Sequence, residues 1–370
     1  MFTSIDYYWM QQALDLASLA RTICQPNPRV GCVIVKDNAL LGQGYTQAPG
    51  NHHAEIMALE DAKKQGYPVF GATAYVTLEP CCHYGKTPPC TDTLIKSGIR
   101  RIVIAGLDPN PLVAGKGIKT LQDAGIEIEV GLLNQKAEQE NIGFMKRMRL
   151  GLPWVRLKIA ASLDSITALP NGKSKWITGS LARQDGHLWR AQASVLLTGG
   201  GTVLADDPEL NVRGIEIPNQ PLRVIVDSHL ETPLQSKILR NGKTLIAYGA
   251  QSSDHALKTQ DALLNMGVEL IHLPNQNGKV DLLKLLQYLA TVHQANEVHV
   301  EAGSKLNGSL IRENCVDELL IYLAPKLLGQ GLSITNLGPL FDIPEGPEWE
   351  WLEQKVIGPD LRLRLVKLLN

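Results

Sequence analysis

The sequence predicts an α/β protein in two domains. Three observations carry this: the length, a regular alternation of strand-like and helix-like segments, and a break in that alternation near residue 150. A chain of 370 residues is too long for one ordinary core, because single cores stop growing at about 250–300 residues. In the first part, apolar spacing predicts a helix over 7–23, from Met10, Ala13, Leu14, Ala17 and Ala20. Pro26 and Pro28 interrupt it, and strand 30–35, helix 53–64, strand 73–78, a Pro- and Cys-rich loop 79–90 and a helix to about 96 follow. Strand 101–105, helix 116–124 and strand 126–130 continue the alternation. A short basic stretch, 143–151, precedes Pro153 and sets domains at 1–149 and 150–370. The second part reads as strands 154–160, 195–198, 222–226, 244–247, 298–301 and 319–323, with helices 181–193, 254–265, 282–292 and 304–312. The last segment, 361–368, alternates Leu with Arg or Lys as a half-buried strand does.

Composition excludes several classes. With 44% hydrophobic and 20% charged residues the chain is neither disordered nor membrane-embedded, and it has no run of roughly 18 apolar residues. Lys and Arg (36) balance Asp and Glu (37), so the broad basic footprint of a nucleic-acid-binding protein is missing. The first ten residues lack a basic region followed by an apolar one, so no secretory signal is expected. Three of the six cysteines crowd into 81–90 and the others are scattered, which suits one metal site in a cytoplasmic, reducing setting better than a disulfide framework.

Two fragments carry chemistry: His53-Ala54-Glu55, and Glu79-Pro80-Cys81 continuing to Cys90. One imidazole and two thiolates are a soft, tetrahedral donor set suited to zinc, and three protein ligands leave the fourth position for water. His53, Cys81 and Cys90 are therefore the candidate ligands of one Zn2+, with Glu55 as the acid/base that binds no metal. Each of these residues alone would read as ordinary. The zinc-deaminase signature H-x-E … P-C-x-x-C is met except at its second cysteine, where Tyr84 stands; Cys90 comes six residues later. Cys82, His83 and His52 remain alternative ligands, and a purely structural zinc remains an alternative use of the site.

The residues 27–35 (N-P-R-V-G-C-V-I-V), His53-Ala54-Glu55 and 77–90 (T-L-E-P-C-C-H-Y-G-K-T-P-P-C) resemble the deaminase half of the bifunctional riboflavin-biosynthesis deaminase–reductases. The long excursion between the cysteines separates that family from other zinc deaminases. The second half is similar too, in 158–164 (K-I-A-A-S-L-D), 176–178 (W-I-T), 201–208 (G-T-V-L-A-D-D-P), 300–303 (V-E-A-G) and 316–329. The resemblance implies a cytidine-deaminase-like three-layer α/β domain followed by a dihydrofolate-reductase-like one. It implies deamination of 2,5-diamino-6-(5-phosphoribosylamino)pyrimidin-4-one, then NADPH-dependent reduction of the ribosyl group of the product to ribityl. It places NADPH at Ala160, Trp176, Thr202, Asp206, Ser228 and the run Gly303, Ser304, Lys305, Leu306, Asn307, Gly308 and Ser309, and substrate at Ser174, Arg190, Leu210, Arg213 and Glu301. At 165–166 this chain has Ser-Ile where the family usually has Gly and a basic residue.

From the residues themselves, the second half says less. Gly199-Gly200-Gly201-Thr202 after a strand, and Gly303 to Gly308 between a strand and a helix, suit a phosphate but are also common turns. No G-x-G-x-x-G follows a strand, which argues against a Rossmann cofactor site. Arg190 and Arg213 offer forks for a substrate phosphate. Glu301 ends a buried strand ahead of a glycine, where a carboxylate is costly unless paired or functional; it is assigned to the sugar end of the substrate. Lys158, in an apolar strand, would neutralise charge or relay a proton, and Asn27 would hydrogen-bond the pyrimidine. The expected partners are a small pyrimidine ribotide and further copies of the chain, as dimer or tetramer, with no nucleic acid or membrane. The rival readings are a nucleic-acid or nucleotide deaminase with an appended binding module, and a zinc-stabilised scaffold.

Overall fold

The computed structural model describes all residues except 85–87, 112, 251–253, 343–345 and 369–370, together with the side chains of 254–256. The chain divides into two compact units, Met1–Gly151 and Leu152–Asn370.

The first unit runs α1 (Ser4–Ser18), β1 (Gly31–Lys36), β2 (Ala39–Tyr45), α2 (Ala54–Lys64), β3 (Thr73–Val76), α3 (Cys90–Lys96), β4 (Arg101–Ile104), α4 (Lys116–Asp123), β5 (Glu127–Val130), α5 (Asn134–Glu140) and α6 (Ile142–Leu150). Its five strands lie in the order β2-β1-β3-β4-β5, antiparallel at β2-β1-β3 and parallel from β3 to β5. Alternate residues of each strand face opposite layers. Cys32, Ile34, Ala74, Val76, Ile102 and Ile104 pack on α2, α3 and α4 through Ala54, Ala58, Leu94 and Leu121. Val33, Val35, Tyr75 and Val103 face α1 through Trp9, Met10, Ala13 and Leu14. This is the three-layer α/β arrangement expected.

Helix α1 starts with a capping box between Thr3 and Asp6, and it stops at Ser18, short of the expected 23. Strand β2 has no expected counterpart. Ala39, Leu40 and Gln43 are exposed while Gly42 and Gly44 are buried, and the strand sets the seat of α2. A Cβ at Gly42 would lie 2.2 Å from Ala58 O, and one at Gly44 2.5 Å from Met57 Cβ. Only glycine lets α2 approach this closely.

The second unit runs β6 (Trp154–Ser162), β7 (Ile166–Ala168), α7 (Ser180–Gln192), β8 (Val195–Gly199), α8 (Gly200–Asp206), β9 (Leu222–Val226), β10 (Thr244–Tyr248), α9 (Asp254–Asn265), β11 (Glu269–His272), α10 (Leu282–Thr291), β12 (Glu297–Val300), α11 (Ser304–Arg312), β13 (Glu318–Ala324), β14 (Leu332–Ser333), β15 (Trp349–Ile357) and β16 (Asp360–Lys367). Nine strands form one sheet in the order β11-β10-β9-β8-β12-β6-β13-β16-β15. It is parallel from β11 to β13, and β16 and β15 add antiparallel strands at one edge. This is the dihydrofolate-reductase-like sheet expected, not a Rossmann sheet. Two expectations change: the glycines after β8 open the short helix α8, and β7, β11, β14 and β15 are strands that the sequence reading left out, while α11 spans the expected 304–312 and includes Gly308. Position 308 within the helix must be glycine, because a Cβ there would meet Asn336 O at 1.9 Å.

One sheet face is apolar. Val155, Leu157, Val298 and Val300 pack on Leu282, Leu285, Leu286 and Leu289 of α10. On the other face, β6, β12, β13 and β16 carry charge beneath α7. Arg156 donates to Glu297 Oε2 and Glu318 Oε2, each at 3.0 Å, and Arg364 to Glu318 Oε1 at 2.7 Å. The Trp189 ring lies 4.4 Å from the Arg156 guanidinium, 4.9 Å from that of Arg364 and 5.6 Å from that of Arg362. Each buried charge therefore has an opposite charge or an aromatic face, which offsets its desolvation.

Replacing Gly42 with Ala is expected to destabilise the first unit by about 1–3 kcal/mol, since α2 must move away from the sheet. Denaturant unfolding measures this, and an unchanged midpoint would refute the close-approach argument.

Candidate active sites

In the first unit, two helix starts meet. His53 is the N-cap residue of α2, and Glu55 sits in that helix's first turn. Cys90 is the first residue of α3. Cys81 comes from the segment after β3. His53 Nδ1 lies 3.5 Å from Cys81 Sγ and 3.3 Å from Cys90 Sγ. The Cys90 backbone N–H donates to Cys81 Sγ at 3.4 Å, as a helix start stabilises a thiolate. The three donor atoms lie within 4.8 Å of one another, and no other group of three or more such ligands occurs among the described residues. His52 instead pairs with Glu60 at 3.1 Å.

Hydrogen bonding with Cys90 and His53 lowers the Cys81 thiol, and the same contact with burial raises Cys90, so Cys81 is the one of the pair that gives up its proton more readily. A divalent cation bound here would displace the remaining thiol proton. One ring nitrogen and two thiols at this spacing fit zinc in a three-ligand site. Glu55 is buried beside them, and burial pushes its carboxyl up to about 7.

The sequence reading gave no role to Glu79, two residues before Cys81. Its buried carboxylate accepts N–H groups from Asp108 (3.3 Å), Gly115 (3.0 Å), Gly117 (3.0 Å) and Ile118 (3.2 Å). It ties the Cys81 segment to the start of α4. The available signal was a carboxylate between an apolar strand and a proline. Asn27 turns back on Cys24, donating its N–H to Cys24 O at 2.8 Å.

In the second unit, Glu301 follows β12 and is gripped by Arg190 of α7. Arg190 Nε donates to Oε1 at 2.5 Å and Nη2 to Oε2 at 2.9 Å. Arg190 Nη1 donates to Asn211 O at 2.9 Å, and Lys158 Nζ reaches Glu301 Oε2 at 3.5 Å. Burial alone would raise the Glu301 carboxyl, but the charges of Arg190 and Lys158 hold it well below the usual carboxylate range. Arg213 is exposed, pairs with Glu209 at 3.2 Å and donates its backbone N–H to His187 Nδ1 at 3.2 Å. Leu210 is buried with φ of 45°.

Ser174 Oγ donates to Asp206 Oδ1 at 3.3 Å, which joins a residue expected at substrate to one expected at NADPH. Trp176 is 65% exposed and lies under Arg183. A Cβ at Gly303 would stand 3.7 Å from Thr202 Oγ1, and one at Gly199 3.2 Å from Leu306, so the starts of α8 and α11 adjoin. Gly303 is the N-cap of α11 and offers no side-chain cap to the backbone N–H groups of the first turn. Asn307 turns away and donates to Ile334 O at 2.9 Å, and Ser309 Oγ accepts from Arg312 at 3.1 Å. Ser304 and the exposed Lys305 occupy the first turn of α11. Ala160 lies in β6 opposite Tyr322, and Ser228 Oγ accepts from Val280 N at 3.3 Å. Ser165, at the departure from the family pattern, has φ of 63°, a conformation for which glycine is better suited. Asp164 keeps the turn by accepting from Leu328 N and Gly329 N.

Residues 3–106 match the cytidine and deoxycytidylate deaminase zinc-binding region, and residues 153–363 match the RibD C-terminal domain. The riboflavin biosynthesis protein RibD of Escherichia coli (strain K12) is 44% identical over 375 residues, covering 98% of this chain and 99% of that protein. That of Aquifex aeolicus (strain VF5) is 41% identical over 339 residues, covering 91% and 92%. Among solved structures, Acinetobacter baumannii RibD (form 1) superposes with a TM-score of 0.89 at 42% identity, covering 99% of both chains. The diaminohydroxyphosphoribosylaminopyrimidine deaminase/5-amino-6-(5-phosphoribosylamino)uracil reductase of Thermotoga maritima superposes at 0.87 with 32% identity, covering 98% and 99%. Fold and site thus define a zinc-type deaminase joined to a reductase. The chain belongs to the RibD family of riboflavin biosynthesis proteins.

Cys90→Ser is expected to lower zinc content from one per chain to a small fraction of that, by elemental analysis of the purified protein. Undiminished zinc would remove Cys90 from the ligand set.

Proposed function

We infer that this chain catalyses two successive steps of riboflavin biosynthesis, deamination in its first unit and reduction in its second. The substrate of the first step is 2,5-diamino-6-(5-phosphoribosylamino)pyrimidin-4-one. That of the second is 5-amino-6-(5-phosphoribosylamino)uracil. The observation that carries this reading is the meeting of His53, Cys81, Cys90 and buried Glu55, in a chain alignable over 98% of its length with a bifunctional-family relative. A nucleic-acid deaminase with a binding module is not favoured, since the second half matches a reductase-family domain.

His53, Cys81 and Cys90 would hold zinc, whose Lewis acidity would activate water near neutral pH. Glu55 takes a proton from the attacking water, then delivers protons to the ring nitrogen and to the leaving ammonia. Asn27 bonds the pyrimidine. In the second unit NADPH supplies the reducing equivalent. Thr202, Asp206, Ala160, Trp176, Ser228 and the residues 303–309 hold the cofactor, with the uncapped start of α11 facing a phosphate. Glu301 receives sugar hydroxyls on a carboxylate kept anionic by Arg190 and Lys158. Arg213, with one nitrogen on Glu209, turns its remaining donors to the substrate phosphate, and Ser174 and Leu210 complete that side.

No described helix is long and apolar enough to cross a membrane. No disulfide joins any of the six cysteines, which suits the cytoplasm. The edge strand β15 exposes Trp351, Leu352 and Val356, a surface that suits a second copy of the chain in a dimer or tetramer.

Glu55→Gln is expected to keep one zinc per chain while ammonia release falls by about 10²–10⁴-fold. An active, zinc-replete Gln variant would sink the assignment. Glu301→Ala should abolish NADPH oxidation on the uracil ribotide and leave deamination intact; retained reduction would displace Glu301 from the site.

A further inference from the structure

One buried polar side chain on the charged face of the second unit has no hydrogen-bond partner for its ring nitrogens. His299 is 0% exposed in the middle of β12, in register with Arg156 on β6 and Leu196 on β8. Neither ring nitrogen has a hydrogen-bond partner. Its Nε2 lies 3.4 Å from Glu301 Oε1, without the alignment of a hydrogen bond. The two residues are two apart along the chain, so both belong to the charged face beneath α7. Burial pushes the imidazole below its ordinary range, although the neighbouring Glu301 carboxylate favours its cation. A neutral imidazole carrying its proton on Nε2 is a donor within reach of that carboxylate.

Two unsatisfied nitrogens in the interior cost stability, and an apolar side chain of similar size would avoid that cost. An orphan of this kind beside a functional carboxylate points to a task met in the liganded state, where apo hydrogen bonds tighten. We propose that His299 is a positioning residue for Glu301: its Nε2–H closes on Oε1 when a sugar hydroxyl takes a lone pair of that carboxylate from Arg190 or Lys158, so the carboxylate keeps its orientation. This rests on the reading of Glu301 as the residue that receives the sugar.

The test uses the full-length, zinc-loaded protein with His299→Phe, His299→Gln and Glu301→Ala. His299→Phe is expected to melt at the same or a higher temperature and to deaminate as the parent does. Its kcat for reduction of 5-amino-6-(5-phosphoribosylamino)uracil should fall about ten-fold, with KM for NADPH unchanged. His299→Gln, whose amide can still donate, should retain most of the parent kcat. Parent-like reduction by His299→Phe overturns the proposal. So does equal impairment of the Phe and Gln variants, or loss of folding in both, which would mark a packing role. Parent-like reduction by Glu301→Ala overturns the Glu301 reading and the proposal with it. Impaired reduction by Glu301→Ala beside parent-like His299→Phe overturns the proposal alone.

Discussion

The seating of α2 on β1 and β2 is the contact on which the first unit's chemistry depends. His53 caps this helix and Glu55 lies in its first turn, so wherever the helix start goes, both side chains follow. Gly42 and Gly44 allow the helix to lie against β2 with no intervening side chain. The cysteines must then arrive at the same place from another direction. Cys90 does so as the first residue of α3, and Cys81 through a segment anchored by Glu79 to four backbone N–H groups. A ligand set spread over 37 positions in sequence becomes a cluster because three separate backbone anchors agree.

The second unit solves a different problem. Its central strands bury charge on one face, and that face is stable because each charge meets a partner within its own layer. Arg156 sits between Glu297 and Glu318, while Trp189 lies against three guanidinium groups. Glu301 belongs to the same face but near its end, where Arg190 and Lys158 hold it. The carboxylate is therefore anionic and fixed in direction, which a residue receiving sugar hydroxyls requires. The bond to Arg190 also means that Arg190 has its donors engaged by Glu301 and Asn211, leaving Arg213 as the more open of the two arginines.

How much was legible in the sequence varied with the physics of each element. Helix α10 was clear because its apolar periodicity coincides with burial of Leu282, Leu285, Leu286 and Leu289. Strand β2 was not, because its outer residues are exposed and its glycines look like turn formers; their meaning appears only against α2. Strand β6 alternates Val, Arg, Leu, Lys and Ile, a pattern that normally marks a half-solvated strand. It lies near the middle of a nine-stranded sheet, with its charged side covered by α7. Alternation reports which face a residue takes, and it cannot report what covers that face.

The sequence alone determined the donor chemistry: an imidazole, two thiols and one adjacent carboxylate, in a spacing that selects one family of zinc deaminases. Side-chain identity decides which metal is suited and which group can carry a proton, and neither depends on the fold. Tertiary structure decided which nitrogen of His53 faces the thiols, that Glu79 anchors the Cys81 segment, that Arg190 is committed to Glu301, and that His299 lies beneath it without a partner. These are facts about distance between residues far apart in the chain. No local pattern encodes them, because they exist only once the sheet and its covering helices have packed.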